Sequence, residues 1–254
     1  MRSLIAAELL KLRSTRSAWI PLAAALAAAV VAVIANTSTA GHGGNPPLSP
    51  AALPDLLRSS GGQLVDGAVL LAWIVLSAGE FRHRTSVTTF LGQPRRLCVV
   101  SAKLAAAALT GAAVGLLAEA LSAATSAAVL SAHHVPLHWA QPGVPGAVIT
   151  VPLLAALYGV LGASLGLLLR NTAAALGLAL MWAFVVEGIL PVLIHAPGVV
   201  RWLPQAAANA VLHGASATTL PAGVALAVLA GYAVVLATGG ALVTTRREIG
   251  TATG

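Results

Sequence analysis

The sequence predicts an all-α integral membrane protein: six transmembrane helices, both termini in the cytoplasm, an N-terminal interfacial helix and one short amphipathic helix in a cytoplasmic loop. Three observations predict it. Of 254 residues, 58% are hydrophobic and only 8% are charged, and the mean hydropathy is +0.90. A soluble domain carries about 25% charged residues, so this chain cannot coat a globule of its size with polar surface, and lipid is the solvent it fits. Six apolar stretches approach or exceed the roughly 20 residues needed to cross a hydrocarbon core. The basic residues fall almost wholly between alternate stretches.

The spans, in order, are residues 18–35, 62–78, 104–132, 146–169, 172–194 and 220–243, and together they make one domain over 1–254. The first carries no charge. Ser38-Thr39-Ala40 at its end resembles a cleavage site, but the apolar run is too long for a signal peptide and is read as a retained span. The second is short and carries Asp66. The third carries Glu119 and is long enough to tilt or project. The fifth carries Glu187. With the N-terminus inside, the inner segments hold Arg2, Lys11, Arg13, Arg16, Arg82, Arg84, Arg95, Arg96, Lys103, Arg170, Arg246 and Arg247, and the outer ones only Arg58 and Arg201. That asymmetry fixes the orientation, and the chain reads as a multi-pass protein of the bacterial inner-membrane kind. The asymmetry also requires the second span, since dropping it would strand Arg82 to Lys103 outside.

The net charge of +7 and pI of 11.1 are those of many nucleic-acid binders. Here the positive residues lie in short loops beside apolar spans, which points to the bilayer as partner and to no nucleic acid. Cys98 is the single cysteine, so no intramolecular disulfide forms, and it falls on the cytoplasmic side.

Residues 2–16 place Leu4, Ile5, Leu9 and Leu12 at helical spacing, with Lys11, Arg13 and Arg16 as a basic face for anionic headgroups; a plain positive leader has the same composition. In the loop 79–103, Thr85 or Ser86 can cap a short helix, Val87, Phe90 and Leu91 share one face, and Pro94 ends it. Glu80 ends the second span, where a negative charge opposes the helix dipole, so it needs a cation from Arg82, Arg84 or Lys103. A solvated anchor loop is the simpler alternative. Arg170-Asn171 reads as a tight inner hairpin. Residues 196–219 read as helical segments at the outer interface, with Arg201 and Trp202 as an anchor.

Taken in order, these residues resemble a known family. The second span closes on Gly-Glu-Phe-Arg-His-Arg-Thr at 79–85, followed by Thr-Thr-Phe-Leu-Gly-Gln-Pro-Arg-Arg at 88–96 and Ala-Lys before the third span. Later come Leu-Leu-Leu-Arg-Asn-Thr-Ala, Arg-Trp-Leu-Pro and a closing Arg-Arg-Glu-Ile. The chain is similar to ABC-2-type transporter permeases of the six-span actinobacterial kind over nearly its whole length, most specifically in the 79–96 loop. The resemblance implies the membrane-spanning half of an exporter, paired with a second permease chain as homo- or heterodimer and docked to a separate ATP-binding subunit. The helix at Thr85 to Leu91 would be the coupling helix, tied to the second span by Glu80 and Arg82, with Arg84, Val87 and Phe90 in the same contact. ATP and Mg would be held by the partner. The residues agree: no Gly-x-x-x-x-Gly-Lys-Ser/Thr sequence occurs, and no soluble stretch is long enough for a nucleotide-binding domain, so neither a cofactor nor an enzymatic activity is expected of this chain.

Other signals carry less. Gly162-Ala163-Ser164-Leu165-Gly166 matches a serine-hydrolase elbow, but that motif needs a strand-turn-helix setting. Gly111 with Gly115, and Gly162 with Gly166, read as helix-packing pairs. Ser59-Ser60-Gly61-Gly62-Gln63 mimics an ATPase signature loop without any phosphate loop. His133, His134 and His138 cluster, but Pro136 breaks their alignment, and no metal site is expected. Glu119 and Glu187 lie roughly 23 Å above the inner boundary at a rise of about 1.5 Å per residue. A charged, lipid-facing carboxylate there costs on the order of 3 kcal/mol, so both should face protein or an aqueous vestibule. Their roles are either substrate pathway and proton relay, or neutral carboxyls bonded to Ser122, Thr125 or neighbouring helices. The rival function is a stand-alone proton-coupled secondary transporter using both; a non-transporting scaffold is a third.

Overall fold

The computed structural model describes residues 2–42, 47–61, 63–82, 95–194, 197–214 and 219–246. Among them the chain is helical throughout, with no strand. In chain order the helices are α1 (Arg2–Ser14), α2 (Arg16–Ser38), α3 (Leu53–Gly61), α4 (Gln63–Arg82), α5 (Arg96–Ala132), α6 (Val144–Leu169), α7 (Thr172–Met181), α8 (Leu190–Ile194), α9 (Pro197–Val200), α10 (Pro204–His213) and α11 (Ala222–Arg246). A π-helical segment, Trp182–Ile189, joins α7 to α8. Six helices are long and apolar enough to cross a membrane: α2, α4, α5, α6, the α7–π–α8 run and α11. These are the six stretches read from the sequence, including the short second one. The third begins eight residues earlier than its hydropathy indicates, at Arg96, because its first turns are polar. Its 37 residues reach about 55 Å, longer than a bilayer core.

The fourth span, α6, is the centre of the bundle and packs against α4, α5 and α11. Side-chain size explains the closeness. A Cβ at Gly115 would lie 2.6 Å from Pro152 Cα, and one at Gly162 would collide with the backbone carbonyl of Leu70. A Cβ at Gly111 would likewise meet the backbone of Ala155, and one at Gly166 would lie 2.7 Å from Ser77 Cβ. Both glycine pairs are therefore packing pairs that let backbones touch. Ser164 between them is fully buried inside α6, which removes the hydrolase elbow.

The hairpin after α6 is set locally. Arg170 adopts a left-handed φ of 54° at the helix end, and Asn171 caps α7 by accepting a hydrogen bond from Ala174 N at 3.1 Å. The fifth span packs on α4 and α6, yet Phe184 and Leu193 are each 70% exposed. Short α3, between the first and second spans, lays Leu53, Leu56 and Leu57 over Leu130, Val144 and Ala147. At the same end α10 buries Ala207, Ala210 and Val211 against Val151, Leu154 and Leu229, so it is packed into the bundle. Arg201 stacks 5.8 Å from the Trp202 ring beside it.

Candidate functional site: a charge ring at the base of the second and third spans

Four side chains from three helices close a ring at one end of the bundle. Lys103 of α5 places Nζ 2.7 Å from Glu8 Oε2 and 2.7 Å from Glu80 Oε1. Lys11 places Nζ 2.6 Å from Glu8 Oε1 and 2.9 Å from Glu80 Oε1. Charges alternate around the ring, and the group is neutral as a whole. Glu8 is 6% exposed and Lys103 1%, so these are buried pairs whose attraction is little screened. Burial pushes the Glu8 carboxyl up, but the charges of Lys103 and Lys11 and their hydrogen bonds outweigh it and hold it below the usual carboxylate value. Burial pulls Lys11 down, and Glu80 and Glu8 reverse that, leaving it above the usual lysine value.

The local sequence builds this. Glu8 and Lys11 stand three apart, hence on one face of α1, and Ile5, Leu9 and Leu12 of the same helix pack onto Leu22, Ala25 and Trp73 in the core. The face of α1 read as a headgroup surface is corrected at one residue: Lys11 turns into the ring, because two carboxylates lie within reach. Of the cations the sequence offered Glu80, the structure gives it Lys103, and it adds Lys11, 69 residues away. Glu8 was missed altogether. Its signal was present as the lone acid of a basic leader, followed by a lysine at i+3.

A second clasp lies beside the ring. Arg96 Nη1 donates to the carbonyls of Thr244 at 3.2 Å and Thr245 at 3.3 Å, and Arg170 Nη2 donates to Val243 O at 2.8 Å. Two arginines thus satisfy the last carbonyls of α11, where positive charge also suits the helix dipole. Arg170 lies 4.8 Å over the ring of Phe81, next to Glu80. This end of the bundle, with α1, Arg96, Lys103 and Arg170, is its basic end.

Glu80 and Lys103 bracket the loop that the sequence singles out. Arg84, Thr85, Val87, Phe90 and Leu91 lie outside the described residues, as does the Arg82 side chain, although Arg82 itself ends α4.

The intramembrane carboxylates go to separate settings. Glu119 is 4% exposed on α5, and neither of its oxygens has a hydrogen-bond partner among the described residues. Ser122 and Thr125 do not serve it: their hydroxyls donate back to Ala118 O at 2.7 Å and Leu121 O at 2.7 Å. Glu187 sits in the π-helical segment and is well bonded. Trp182 Nε1 donates to its Oε1 at 2.8 Å, and Gln205 N, in the first turn of α10, donates to its Oε2 at 2.5 Å. The carboxylate therefore caps α10 from another helix, where negative charge is favoured. No described hydrogen bond or ion pair joins Glu119 to Glu187. Asp66 is 2% exposed, with Oδ1 unpartnered. A groove of about 910 Å³ is lined by the first, second and fifth spans; Ala24, Ala28, Gly67, Leu71, Phe184 and Glu187 are among its walls. His133 and His134 lie at the end of α5, and among the described residues no three His, Cys, Asp or Glu side chains converge as a metal set.

Fold and site together define an all-helical protein with six helices long and apolar enough to span a membrane, and with a buried charge ring at the base of the second and third. No family model and no curated protein matches the chain.

Proposed function

We propose that this chain is the permease subunit of an ATP-binding-cassette exporter, a multi-pass protein of the bacterial inner membrane with its basic end toward the cytoplasm. The ion ring is the observation that carries this reading. Glu80 precedes the 83–94 segment and Lys103 follows it, and their 2.7 Å contact ties both to each other and, through Glu8 and Lys11, to α1. A force applied to the segment between them reaches α1, α4 and α5 as one unit. That is the base a coupling helix needs, and the apolar face of Val87, Phe90 and Leu91 gives a partner something to grip. The partner is a separate ATP-binding subunit that holds ATP and Mg, with a second permease chain completing the transporter. The groove beside Glu187 supports a substrate route between the first, second and fifth spans.

Affinity purification of the chain from its native membranes, under mild detergent, tests the proposal. It should recover an ATP-binding subunit in stoichiometric amount. Recovery of the chain with no ATPase, together with transport driven by a proton gradient alone, would favour the stand-alone carrier instead.

A further inference from the structure

At the end of the bundle away from the charge ring, Arg58 of α3 holds the Asp55 carboxylate and the Gly143 carbonyl. Its Nη1 lies 3.2 Å from Asp55 Oδ1, one turn back on the same helix, and the Asp55 side chain is 77% exposed. Its Nη2 donates to the Gly143 carbonyl at 3.2 Å. The guanidinium fills space that two glycines leave open: a Cβ on Gly143 would lie 3.2 Å from Nη2, and one on Gly146 3.8 Å. Neither partner is a strong one. The exposed carboxylate is screened. Gly143 is the N-cap of α6, so the cation sits at the positive end of a helix dipole, where an anion is favoured.

The better anion is close by. Glu119 of α5 is almost wholly buried with both oxygens unpartnered, and the Arg58 charge reaches it. The packing of α5 on α6 places them. Gly111 meets Ala155 and Gly115 meets Pro152, so one turn further along the antiparallel seam Glu119 faces the first turns of α6, where the guanidinium lies. Ser122 and Ser126 continue that face of α5 outward, both fully buried, and the Ser126 hydroxyl has no partner. A setting this closed admits a proton, or Arg58 itself, more readily than a larger cation. A charged, unpartnered carboxylate is costly to bury, and a paired guanidinium offsets that cost. The protonation of Glu119 and the position of Arg58 are therefore linked.

We infer that Glu119 is a proton-binding site read by Arg58. When the carboxyl loses its proton, the guanidinium leaves Asp55 and Gly143 to pair with it and shifts α3 on the α5–α6 seam where Leu53, Leu56 and Leu57 already pack. When the proton returns, the guanidinium goes back to Asp55 and Gly143 and α3 shifts back. The other titratable groups on helices packed against α5 stand elsewhere. Glu8, Lys11 and Glu80 are in the ring at the opposite end, and Asp66 is on α4. His133 and His134 end α5 itself, while α2 from Trp19 to Ser38, α6, and α11 up to Thr245 bring no Asp, Glu, Lys or Arg. The inference does not depend on the ATP-driven reading.

Paired spin labels on Ala51→Cys and Ala132→Cys, both at exposed positions flanking the seam, test it in lipid nanodiscs with Cys98→Ala as background. The wild-type interspin distance should differ between acid and alkaline buffer as Glu119 gains and loses its proton. Glu119→Gln should hold the acid distance at both pH values, and Arg58→Gln should abolish the shift. A wild-type distance that does not change, or a shift that survives either substitution, overturns the inference.

Discussion

Lys103 and Glu8 are 95 residues apart in sequence and 2.7 Å apart in space, and this pair joins the N-terminal helix to the third span. Lys103 holds Glu80 at the same distance, so one ammonium is the meeting point of α1, α4 and α5. Replacing Lys103 by Met leaves Glu8 and Glu80 to share Lys11 alone, with one buried negative charge in excess. Breaking a buried pair from one side costs about 3–5 kcal/mol. Thermal unfolding in detergent should show Lys103→Met strongly destabilised. Glu8→Gln combined with Lys103→Met should cost less than the sum of the two single changes, because they share one interaction. A Lys103→Met protein within about 0.5 kcal/mol of wild type would show that the ring holds nothing together.

The ring also fixes a pH dependence. Glu8 titrates below the usual carboxylate range when folded, so its contribution is present above that range and lost as pH falls through the depressed value. Lys11 titrates above the usual lysine value, so its contribution is complete below about pH 10 and lost as pH rises through the raised value. Docking of α1 should therefore be flat across neutral pH and fail at both extremes. Disulfide trapping of a cysteine pair between α1 and α5, sampled across pH, measures it. A loss of docking centred near pH 7 would contradict the assignment.

Glycine substitutions separate packing from mere helix content. A Cβ at Gly162 would meet the Leu70 carbonyl, whereas one at Gly177 meets nothing within 4 Å. Gly162→Ala should cost about 1–3 kcal/mol through overpacking, and Gly177→Ala should be neutral or slightly stabilising. Equal melting temperatures for the two variants would mean that α4 and α6 are not in backbone contact.

The six helices were legible because lipid solvent imposes long apolar runs, and even the marginal second span was required by the charges around it. The packing pairs Gly111 with Gly115 and Gly162 with Gly166 were legible for the same reason: small residues four apart let backbones meet. The charge ring was half legible. Glu80 announced its need for a cation at a helix end, and Lys103 was among those the sequence offered; Lys11 was not, because pairing across 69 residues has no local signature. Short α3 was missed because nine residues are too few for hydropathy to register. The π-helical turn at Trp182–Ile189 was invisible, since it rests on the fold around Glu187, whose Oε2 reaches Gln205 N from another element.

Topology is the next test. The proposed orientation puts Arg246 and Lys103 on the cytoplasmic side and His138 outside, by the excess of positive charge at the basic end. Reporter fusions after Arg246 should score as cytoplasmic and fusions at His138 as external. The opposite pattern would turn the basic end outward and remove any contact with a cytoplasmic ATPase.

In the proposed assembly the segment between Glu80 and Lys103 receives an ATP-binding subunit, with Phe90 as its anchor. Buried aromatic anchors dominate interface energetics, and a charge placed in a dry pocket costs at least about 2 kcal/mol of docking. The most direct measurement is a pull-down of the ATP-binding subunit by wild type and by Phe90→Asp, with membrane abundance of both chains followed in parallel. Equal abundance is expected, with a loss of ATPase recovery of at least about 30-fold for the variant, the ratio that corresponds to about 2 kcal/mol. Equal abundance with undiminished recovery would contradict that assembly.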